Sequence, residues 1–350
     1  MGKLKLGVIF GGMSTEHEVS VVSGKNILEN LDKEKYQVYP IYIDKTGNWF
    51  KYIGDYNSLT MGCVPKELTK IDNLIEYLKK MDVVFPVLHG LYGEDGTIQG
   101  LLELINIPYV GCRVLASSIC MDKVYTKIIL EKAGIKQTKS IYIRKNKENY
   151  VYINNDFDEE TLQLDEICKK IENEIKYPMF VKPSNSGSSV GVSKANSLKS
   201  LQYAIVEAAK YDYKILVEEG IEGKEVECAV LGNENVTAGE VGEIKPADEF
   251  YSFDAKYNNE NSKTIIPANI PEETKNRIKE TSIKAFKAIN GTGLARVDFF
   301  VEKQTGEIVL NEINTMPGFT QISMYPKLME AHGITYTELL NKLVMLAIEK

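Results

Sequence analysis

The feature that most limits the fold of this chain is an alternation of apolar runs and helical patterns in its first third. An apolar run at 4–10 ends in Gly11-Gly12, and a helical pattern follows at 16–30. Further apolar runs lie at 39–43 and 83–88, and a second helical pattern covers 96–105. Strands that alternate with helices build a mainly parallel sheet with helices on both faces. The sequence therefore predicts an α/β fold whose first domain, residues 1–112, is an open parallel sheet.

Two α+β domains are expected after this one, because the pattern changes near Met121. The second domain, 113–221, has a predicted helix at 121–133, a strand at 140–143, a polar stretch at 144–161, another helix and a strand at 179–182. The third, 222–350, has predicted strands at 225–231 and 236–244, a loop to 268, a helix at 272–289, a β-hairpin and a closing helix at 336–349. A chain of 350 residues is long enough for two or three such domains.

Composition excludes several classes of protein. The net charge is −7, whereas binding to a phosphate backbone needs clustered Lys and Arg. No apolar run approaches the roughly 18 to 20 residues that span a bilayer, so we expect a cytoplasmic protein with no membrane or nucleic-acid partner. The five cysteines are scattered without a CxxC pair, which predicts buried thiols and neither disulfides nor a zinc site.

The predicted hairpin carries the clearest chemical signal. Arg296 and Asp298 lie two apart on one strand and Glu312 and Asn314 two apart on the next, so each pair shares a face. A three-residue loop at 304–306 with glycine last places Asp298 opposite Glu312 and Arg296 opposite Asn314, within one residue for a bulge. Facing carboxylates repel, and an all-oxygen set suits Mg²⁺. The alternative is a solvated strand face neutralised by Arg296.

A Gly/Ser-rich segment follows a predicted strand that ends at Lys182 and Pro183. Its sequence, Ser-Asn-Ser-Gly-Ser-Ser-Val-Gly at 184–191, would let backbone N–H groups approach phosphate oxygens. The P-loop pattern GxxxxGK[ST] is absent from the chain, which excludes a Walker-type nucleotide site. A plain flexible turn is the alternative interpretation of this segment.

The amino-terminal turn is glycine-rich but lacks the dinucleotide spacing GxGxxG, which argues against an NAD site and a dehydrogenase. A helix N-terminus there can still face an anion such as a substrate carboxylate. Thr15 and Glu18 have capping-box spacing, so Glu18 either starts the helix or binds a substrate amine.

His89 is the first residue of a glycine-rich loop that follows a predicted strand. Ligands bind at such loops in open α/β sheets, so His89 is a candidate ligand-binding residue. The alternative is a structural residue that caps or packs. His17 and His332 are predicted to be structural.

Five motifs occur in one order along the chain, between about residues 4 and 348. They are Gly11-Gly12-x-Ser14-x-Glu16-x-Glu18-Val19-Ser20, His89-Gly90-x-x-Gly93-Glu94-Asp95-Gly96, Met121-Asp122-Lys123, Lys182-Pro183-x-x-x-Gly187-Ser188-Ser189-Val190-Gly191, and Asn311-Glu312-x-Asn314-Thr315-x-Pro317-Gly318-Phe319-Thr320. Together they resemble the D-alanine–D-alanine ligases of the ATP-grasp superfamily. The resemblance implies an ATP-grasp fold in which two α+β domains enclose ATP behind an amino-terminal parallel-sheet domain.

The resemblance also implies how ATP and metal are held. Lys123 and Lys182 would contact the phosphates, and two Mg²⁺ or Mn²⁺ ions would bind Asp298, Glu312 and Asn314. The remaining residues implied for nucleotide binding are Ser188, Ser189, Glu218, Glu219, Ile221, Glu225 and Lys256. The γ-phosphoryl group would pass to the carboxylate of the first D-alanine, and the amine of the second would attack the acyl-phosphate.

Substrate residues follow by the same resemblance. Glu18 would take the first ammonium, with His89 beside that alanine and Ser188 and Tyr257 orienting its carboxylate. Tyr257 falls in a polar loop at 250–268 that would act as a lid. Arg296 and the N–H of Gly318 would form an oxyanion hole, and Ser323 would bind the second carboxylate.

The identity of the second amino acid depends on fewer residues. Relatives that use D-serine or D-lactate share the ATP machinery, but this chain keeps Lys256-Tyr257 and has the apolar Met324 after Ser323. An apolar side chain favours a methyl over a hydroxymethyl group by about 1 to 3 kcal/mol. The expected product is D-alanyl-D-alanine for peptidoglycan precursors, with a D-serine or D-lactate ligase as the alternative.

A non-catalytic nucleotide-binding regulator is a rival of another class. It is disfavoured because the metal ligands and Arg296 are present. Family members are commonly dimers, so a homodimer is expected.

Overall fold

Three β-sheets organise the computed structural model, which describes residues 2–154, 156–187, 190–245 and 263–349. The sheets follow one another along the chain, and each lies inside one of the three predicted domain ranges. The domain boundaries themselves stay predictions. Over the described ranges, no helix combines the length and apolar character needed to cross a bilayer.

The first sheet has strand order β4-β3-β2-β1-β5. Its elements are β1 (Leu4–Gly11), α1 (His17–Asn30), β2 (Tyr36–Ile43), β3 (Trp49–Tyr52), β4 (Leu68–Lys70), α2 (Leu74–Leu78), β5 (Val83–Pro86) and α3 (Thr97–Leu104). Strands β2, β1 and β5 are parallel, as predicted, whereas β3 and β4 extend the sheet in antiparallel fashion. The antiparallel strands β3 and β4 were not predicted from the sequence.

Alternate residues of β1 serve two separate cores. Val8 and Phe10 pack with Ile27 of α1, whereas Ile9 packs on the other face with Leu102 of α3. A strand buried on both faces is a continuous apolar run, which is how this strand was recognised. The helices therefore cover both faces of the first sheet and leave the carboxyl ends of β1 and β5 for the loops that follow them.

The second sheet is antiparallel, with strand order β10-β9-β11-β6-β7-β8. Its elements are β6 (Ser140–Asn146), β7 (Asn149–Ile153), β8 (Glu159–Leu162), α6 (Leu164–Glu174), β9 (Met179–Pro183), β10 (Ser193–Ala195), α7 (Leu198–Ala208) and β11 (Lys214–Glu219). The stretch at 144–161, described above only as polar, therefore contains strands. One face of this meander is exposed, so its sequence alternates instead of forming an apolar run.

The third sheet has strand order β14-β13-β12-β15-β16 and is antiparallel. Its elements are β12 (Gly223–Gly232), β13 (Thr237–Lys245), β14 (Lys263–Ile265), α8 (Glu272–Ala288), β15 (Gly293–Glu302), β16 (Ile308–Asn314), α9 (Met324–Ala331) and α10 (Tyr336–Ile348). The predicted helices at 272–289 and 336–349 each agree to within one residue. Thr335 caps α10 in a capping box with Glu338.

Packing joins parts of the chain that lie far apart in sequence. The helices α4 (Val114–Met121) and α5 (Lys123–Lys132) contribute to the core formed by α8 and the third sheet. Helices α9 and α10 pack on the opposite face, in a core shared with β1 and α1 of the first domain. The first and third domains are therefore fused through one apolar core, and the second sheet faces them across a cleft.

Candidate active site

A cavity of about 560 Å³ lies between the second and third sheets. It is lined by the described residues implied for nucleotide binding, namely Lys123, Lys182, Glu218, Glu219, Ile221 and Glu225. Phe180 and Phe299 add aromatic surface from the two sheets. An apolar cavity with a few convergent charges suits a purine and its phosphates. Ser188, Ser189 and Lys256 lie outside the described residues.

Glu218 is a buried carboxylate in this cavity that is held by two lysines. Its Oε1 lies 2.7 Å from Nζ of Lys127, and its Oε2 pairs with Lys182. Thr138 Oγ1 also donates to Oε1 at 2.8 Å. Burial opposes ionisation of Glu218, but the two ammonium groups outweigh burial and hold its pKa well below the usual value. Lys127 was not predicted, because nothing in its local sequence marks it.

The predicted hairpin forms with the predicted register. Asp298 pairs with Glu312 and Arg296 with Asn314, and a β-bulge follows directly after Asp298. Asn314 Nδ2 donates to Asp298 Oδ2 at 3.0 Å. Asp298 is only 8% exposed, whereas Glu312 and Asn314 are half-buried. The three predicted metal ligands therefore lie together on a face that borders the cavities, and Arg296 neutralises Asp298 as the alternative interpretation expected.

The chemistry of this donor set fits a hard divalent cation. Two carboxylates and an amide supply oxygen ligands, which Mg²⁺ and Mn²⁺ prefer. In the part of the chain that the structure describes, no three His, Cys, Asp or Glu side chains form a complete metal cage. Because Glu312 and Asp298 both line the nucleotide cavity, phosphate oxygens could complete the coordination shell.

Arg296 is the cation of the hairpin face. Its Nε and Nη2 donate to the two oxygens of Asp298 at 2.7 and 2.6 Å. Its Nε also lies 3.0 Å from Oε2 of Glu227, which is paired with Asp298 across β12 and β15. Burial acts against the charge on Arg296, but Asp298 and Glu227 raise the pKa of the guanidinium well above its usual value. Arg296 is therefore a permanent buried cation.

A second, smaller cavity of about 120 Å³ adjoins the nucleotide cavity. Its lining includes the predicted substrate residues His89, Arg296, Gly318, Ser323 and Met324. The two cavities share a wall formed by Lys123, Ser186, Glu227 and Glu312. A phosphate in the larger cavity and a small molecule in the smaller one would therefore meet at this wall.

The structure does not bring Glu18 to the smaller cavity. The side chain of Glu18 is 40% exposed and pairs with Lys45 at 3.1 Å. The predicted capping box with Thr15 also fails to form, because α1 begins at His17 and its N-cap, Glu16, makes no side-chain capping bond. Glu16, in the same motif, lines the cavity instead, and no role was predicted for it from the sequence.

Two glycines make room for the Glu16 carboxylate. Glu16 is 7% exposed, and a Cβ atom added to Gly90 or Gly187 would lie 2.6 or 2.7 Å from its Oε2. Real Cβ atoms essentially never approach an oxygen this closely. The loop after β5 and the Gly/Ser segment after β9 can therefore close around Glu16 only because neither carries a side chain there.

His89 and Glu94 bind protein groups at the edge of this cavity. His89 Nδ1 lies 3.0 Å from the carbonyl oxygen of Met316, and Nε2 lies 2.9 Å from Ser23 Oγ. Glu94 accepts the backbone N–H groups of Gly90 at 2.8 Å and Met316 at 3.1 Å. Burial and the neighbouring Glu16 raise the pKa of Glu94 to about 8. Both ring nitrogens of His89 therefore bond to protein groups, namely the Met316 carbonyl and the Ser23 hydroxyl.

Ser323 and Met324 close the other side of the cavity at the start of α9. Ser323 Oγ accepts the N–H of Thr320 at 3.0 Å, and a Cβ on Gly318 would lie 2.6 Å from it. The terminal methyl of Met324 points at Gly242, where an added Cβ would be 2.3 Å away. Met324 therefore contacts the cavity while its side chain belongs to the core. Tyr257 lies outside the described residues.

Two α+β domains that enclose a nucleotide cavity, with acidic ligands on a hairpin of one of them, define the ATP-grasp fold. Sequence profiles described as D-ala D-ala ligase N-terminus and D-ala D-ala ligase C-terminus match residues 5–112 and 129–345. The chain belongs to the D-alanine–D-alanine ligase family.

Individual relatives agree with this assignment along the whole chain. A D-alanine–D-alanine ligase of Caldicellulosiruptor bescii is 50% identical over 100% of this chain and 96% of its own length. Among solved structures, a D-Ala:D-Ser ligase from Enterococcus faecalis is 38% identical, with a TM-score of 0.85 over 99% of this chain and 100% of its own. A D-alanine–D-alanine ligase from Coxiella burnetii is 33% identical, with a TM-score of 0.81 over 100% of this chain and 95% of its own.

Proposed function

We propose that this protein uses ATP to join two molecules of D-alanine into D-alanyl-D-alanine, through a D-alanyl phosphate. The wall shared by the two cavities carries the proposal, since Lys123 and Glu312 face both of them. A phosphoryl group in the larger cavity can meet a carboxylate in the smaller one there. The names of the curated relatives at about 50% identity support D-alanine as the substrate.

In the first step, a carboxylate oxygen of the first D-alanine attacks the γ-phosphorus of ATP and the bond to the β-phosphate oxygen breaks, which releases ADP. Lys123 and Lys182 neutralise the phosphates, and Glu16, instead of Glu18, takes the ammonium of this D-alanine. Positioning and charge neutralisation supply most of the catalysis in phosphoryl transfer. Asp298, Glu312 and Asn314 would hold two Mg²⁺ or Mn²⁺ ions, which shield the charge on the phosphate oxygens.

In the second step, the amine of the second D-alanine loses a proton and attacks the acyl carbon, and the C–O bond to phosphate breaks. Negative charge develops on the carbonyl oxygen in this step. Arg296 and the backbone N–H of Gly318 line the same cavity and are placed to stabilise that charge. Ser323 would bind the carboxylate of the second D-alanine from the opposite side.

A D-alanine–D-serine ligase is the second candidate, and one observation favours it. The D-Ala:D-Ser ligase from Enterococcus faecalis shares the fold of this chain with a TM-score of 0.85. Against it, the curated relatives at about 50% identity are named as D-alanine–D-alanine ligases, whereas the side chain of Met324 packs beside Gly242 in the core and does not decide between the two substrates. Size alone discriminates between such substrates by only about 1 to 3 kcal/mol, so the choice is quantitative.

The test is phosphate release from ATP with D-alanine alone and with D-serine or D-lactate added, with each product identified by mass spectrometry. We expect D-alanyl-D-alanine from D-alanine alone, and an excess of that product in an equimolar mixture with D-serine. Absence of phosphate release with D-alanine would overturn the proposal. A dominant mixed dipeptide would select the second candidate.

Several finer properties belong to the same proposal. We expect a homodimer, which light scattering after gel filtration would test by mass. We also expect cytoplasmic synthesis of a peptidoglycan precursor, three domains at 1–112, 113–221 and 222–350, and two metal ions per site. Calorimetric titration of Mg²⁺ and Mn²⁺ with a non-hydrolysable ATP analogue would give the number of ions.

A further inference from the structure

The turn that carries Gly318 is tied to the first domain at both ends. This turn, Met316 to Phe319, follows β16 and lines the smaller cavity. Its outer backbone groups are bound by side chains from α1 and from the loop after β5. The turn belongs to the third domain by sequence, yet side chains of the first domain bind both of its ends, beside Tyr336 of α10, whose hydroxyl donates to the carbonyl of Phe319 at 2.7 Å.

Four hydrogen bonds make this connection. At Met316, Glu94 Oε1 accepts the N–H at 3.1 Å and His89 Nδ1 bonds the carbonyl oxygen at 3.0 Å. At Phe319, Ser23 Oγ accepts the N–H at 3.1 Å and Asn26 Nδ2 donates to the carbonyl oxygen at 3.1 Å. Ser23, Asn26 and His89 are 0%, 4% and 3% exposed, so water cannot replace these bonds cheaply.

Ser23 and His89 are also joined to each other. His89 Nε2 lies 2.9 Å from Ser23 Oγ. The carbonyl oxygen of Met316 can only accept, so Nδ1 of His89 carries the proton. In the neutral ring Nε2 is then an acceptor and receives the hydroxyl proton of Ser23, whose Oγ accepts the N–H of Phe319. Burial lowers the pKa of His89 to about 4, so the ring is neutral near pH 7 and has the single tautomer that this order requires.

We propose that Ser23 and His89 are positioning residues, whose hydrogen-bonded relay fixes both ends of the Met316–Phe319 turn and so sets the direction of the Gly318 N–H. This inference rests on the proposed function, in which that N–H stabilises the tetrahedral intermediate. Because oxyanion stabilisation depends on donors fixed in advance, a small tilt of the turn lowers the rate of the second step. His89 acts through the protein, since Nδ1 contacts the backbone carbonyl of Met316 and Nε2 contacts the hydroxyl of Ser23.

The first experiment compares Ser23→Ala with Ser117→Ala. Ser117 is equally buried, at 0% exposed, but its Oγ reaches only the carbonyl of Cys112 at 3.4 Å. We expect Ser23→Ala to lower kcat about 10- to 100-fold, with the KM values for ATP and the first D-alanine changed less than about twofold. Affinity for a phosphinate analogue of the tetrahedral intermediate should fall by the factor lost in kcat/KM. Ser117→Ala should match the wild type.

The second experiment uses conservative rescue at position 89. His89→Asn keeps an amide donor near Nδ1, whereas His89→Leu keeps none, so the asparagine variant should retain more activity. Ser23→Ala combined with His89→Asn should cost less than the product of the two single effects, because both act on one turn. The pH profile of kcat should keep its shape in every variant, since His89 transfers no proton.

Three results would overturn the inference. They are an unchanged kcat in folded Ser23→Ala, a His89→Leu variant that raises only the KM for the first D-alanine, and strictly multiplicative effects in the double variant. If circular dichroism shows that Ser23→Ala is unfolded, the comparison of His89→Asn with His89→Leu decides alone. Failure of the proposed function is separate, because the wild type would then release no phosphate with D-alanine.

Discussion

The nucleotide cavity and the substrate cavity handle charge in opposite ways. In the nucleotide cavity, Glu218 is matched by Lys127 and Lys182, so the protein compensates its own charge. In the substrate cavity, Glu16 and Glu94 are buried close enough for one to raise the pKa of the other. Arg296 and Lys123 also line the substrate cavity. The two cavities therefore differ in arrangement: Glu218 lies between two ammonium groups, whereas Glu16 and Glu94 neighbour each other, and the ammonium group of a ligand would reduce their repulsion.

The largest expected effect tests the proposed metal ligands of the nucleotide cavity. Asp298→Asn or Glu312→Gln should lower kcat by about 10³-fold or more, because each removes charge from the metal shell. Asp298→Asn should also lower the stability, because it removes the carboxylate that Arg296 binds at 2.7 and 2.6 Å and leaves Glu227 at 3.0 Å as the charged partner on that side. Steady-state kinetics and thermal denaturation measure the two effects.

The matched control for this prediction is Glu240→Gln. Glu240 lies on the neighbouring strand β13 and pairs with Lys279 at 3.1 Å, outside the lining of both cavities. The kcat of the Glu240→Gln variant should stay within about twofold of the wild-type value, as expected for a substitution outside the active site. A near-normal rate in Asp298→Asn would mean that the metal ligands are misassigned.

The next effect separates Glu16 from Glu18. Glu16→Gln should lower kcat/KM for D-alanine about 100-fold, because a buried charge partner of the ammonium is lost. Glu18→Gln should behave as wild type, since its carboxylate is 40% exposed and pairs with Lys45. Kinetics at saturating ATP give both numbers. A strong effect at Glu18 with none at Glu16 would restore the original prediction from the sequence.

A smaller effect on catalysis is expected from Glu218 in the nucleotide cavity. Glu218→Gln should raise the KM for ATP about tenfold and cost about 3 to 5 kcal/mol of folding stability at pH 7, since it leaves two buried ammonium groups unmatched. The folded pKa of Glu218 is depressed, so its stabilisation is present at neutral pH and is lost as the pH falls through that pKa. Urea unfolding at several pH values should show the wild type and the variant converging in acid. A constant difference would contradict the assigned ion pairs.

The smallest effect concerns the like-charged pair. The folded pKa of Glu94 is raised to about 8, so its contribution to stability is full below the unfolded pKa and is lost as the pH rises through 8. Between pH 5 and 8 the wild type should therefore lose stability relative to Glu94→Gln by up to about 1.4 kcal/mol per pH unit, and the difference should level off above pH 8. Arg296 and Glu16 face the same carboxylate, so Arg296 must stay in place for this comparison. Parallel stability curves would show that Glu94 is already ionised at pH 7.

Local rules of the sequence predicted some of this structure and missed the rest for identifiable reasons. The register of Asp298 with Glu312 follows from a short loop and a two-residue spacing, which are local. The assignment of Glu18 to the substrate ammonium came from the resemblance and not from a local rule, and the structure places Glu16 at the cavity instead. The burial of Glu16 depends on Gly90 and Gly187, which come from other parts of the chain.

The same limit applies to the architecture. Strands β3, β4 and β8 are partly exposed, so no apolar run marks them, whereas β7 is buried but short and lies between polar segments. Helices α4 and α5 precede the second sheet in sequence yet pack with the third, which only tertiary contacts reveal. Lys127 and Ser23 carry no motif, and their partners are supplied by distant strands and turns. Long-range packing, and not local propensity, decided each of these features.

Gly90 and Gly187 also limit how this active site can be altered. Both would place a Cβ atom on the same carboxylate oxygen, so a library with random residues at the two positions should return glycine at both. Shortening Glu16 to aspartate is the substitution that would free space for alanine at position 187, whereas Gly90 has a φ of +71° that still disfavours any side chain. Position 187 is therefore the more tolerant of the two, because a side chain there requires a shift of the Glu16 carboxylate, whereas one at position 90 must also adopt a positive φ.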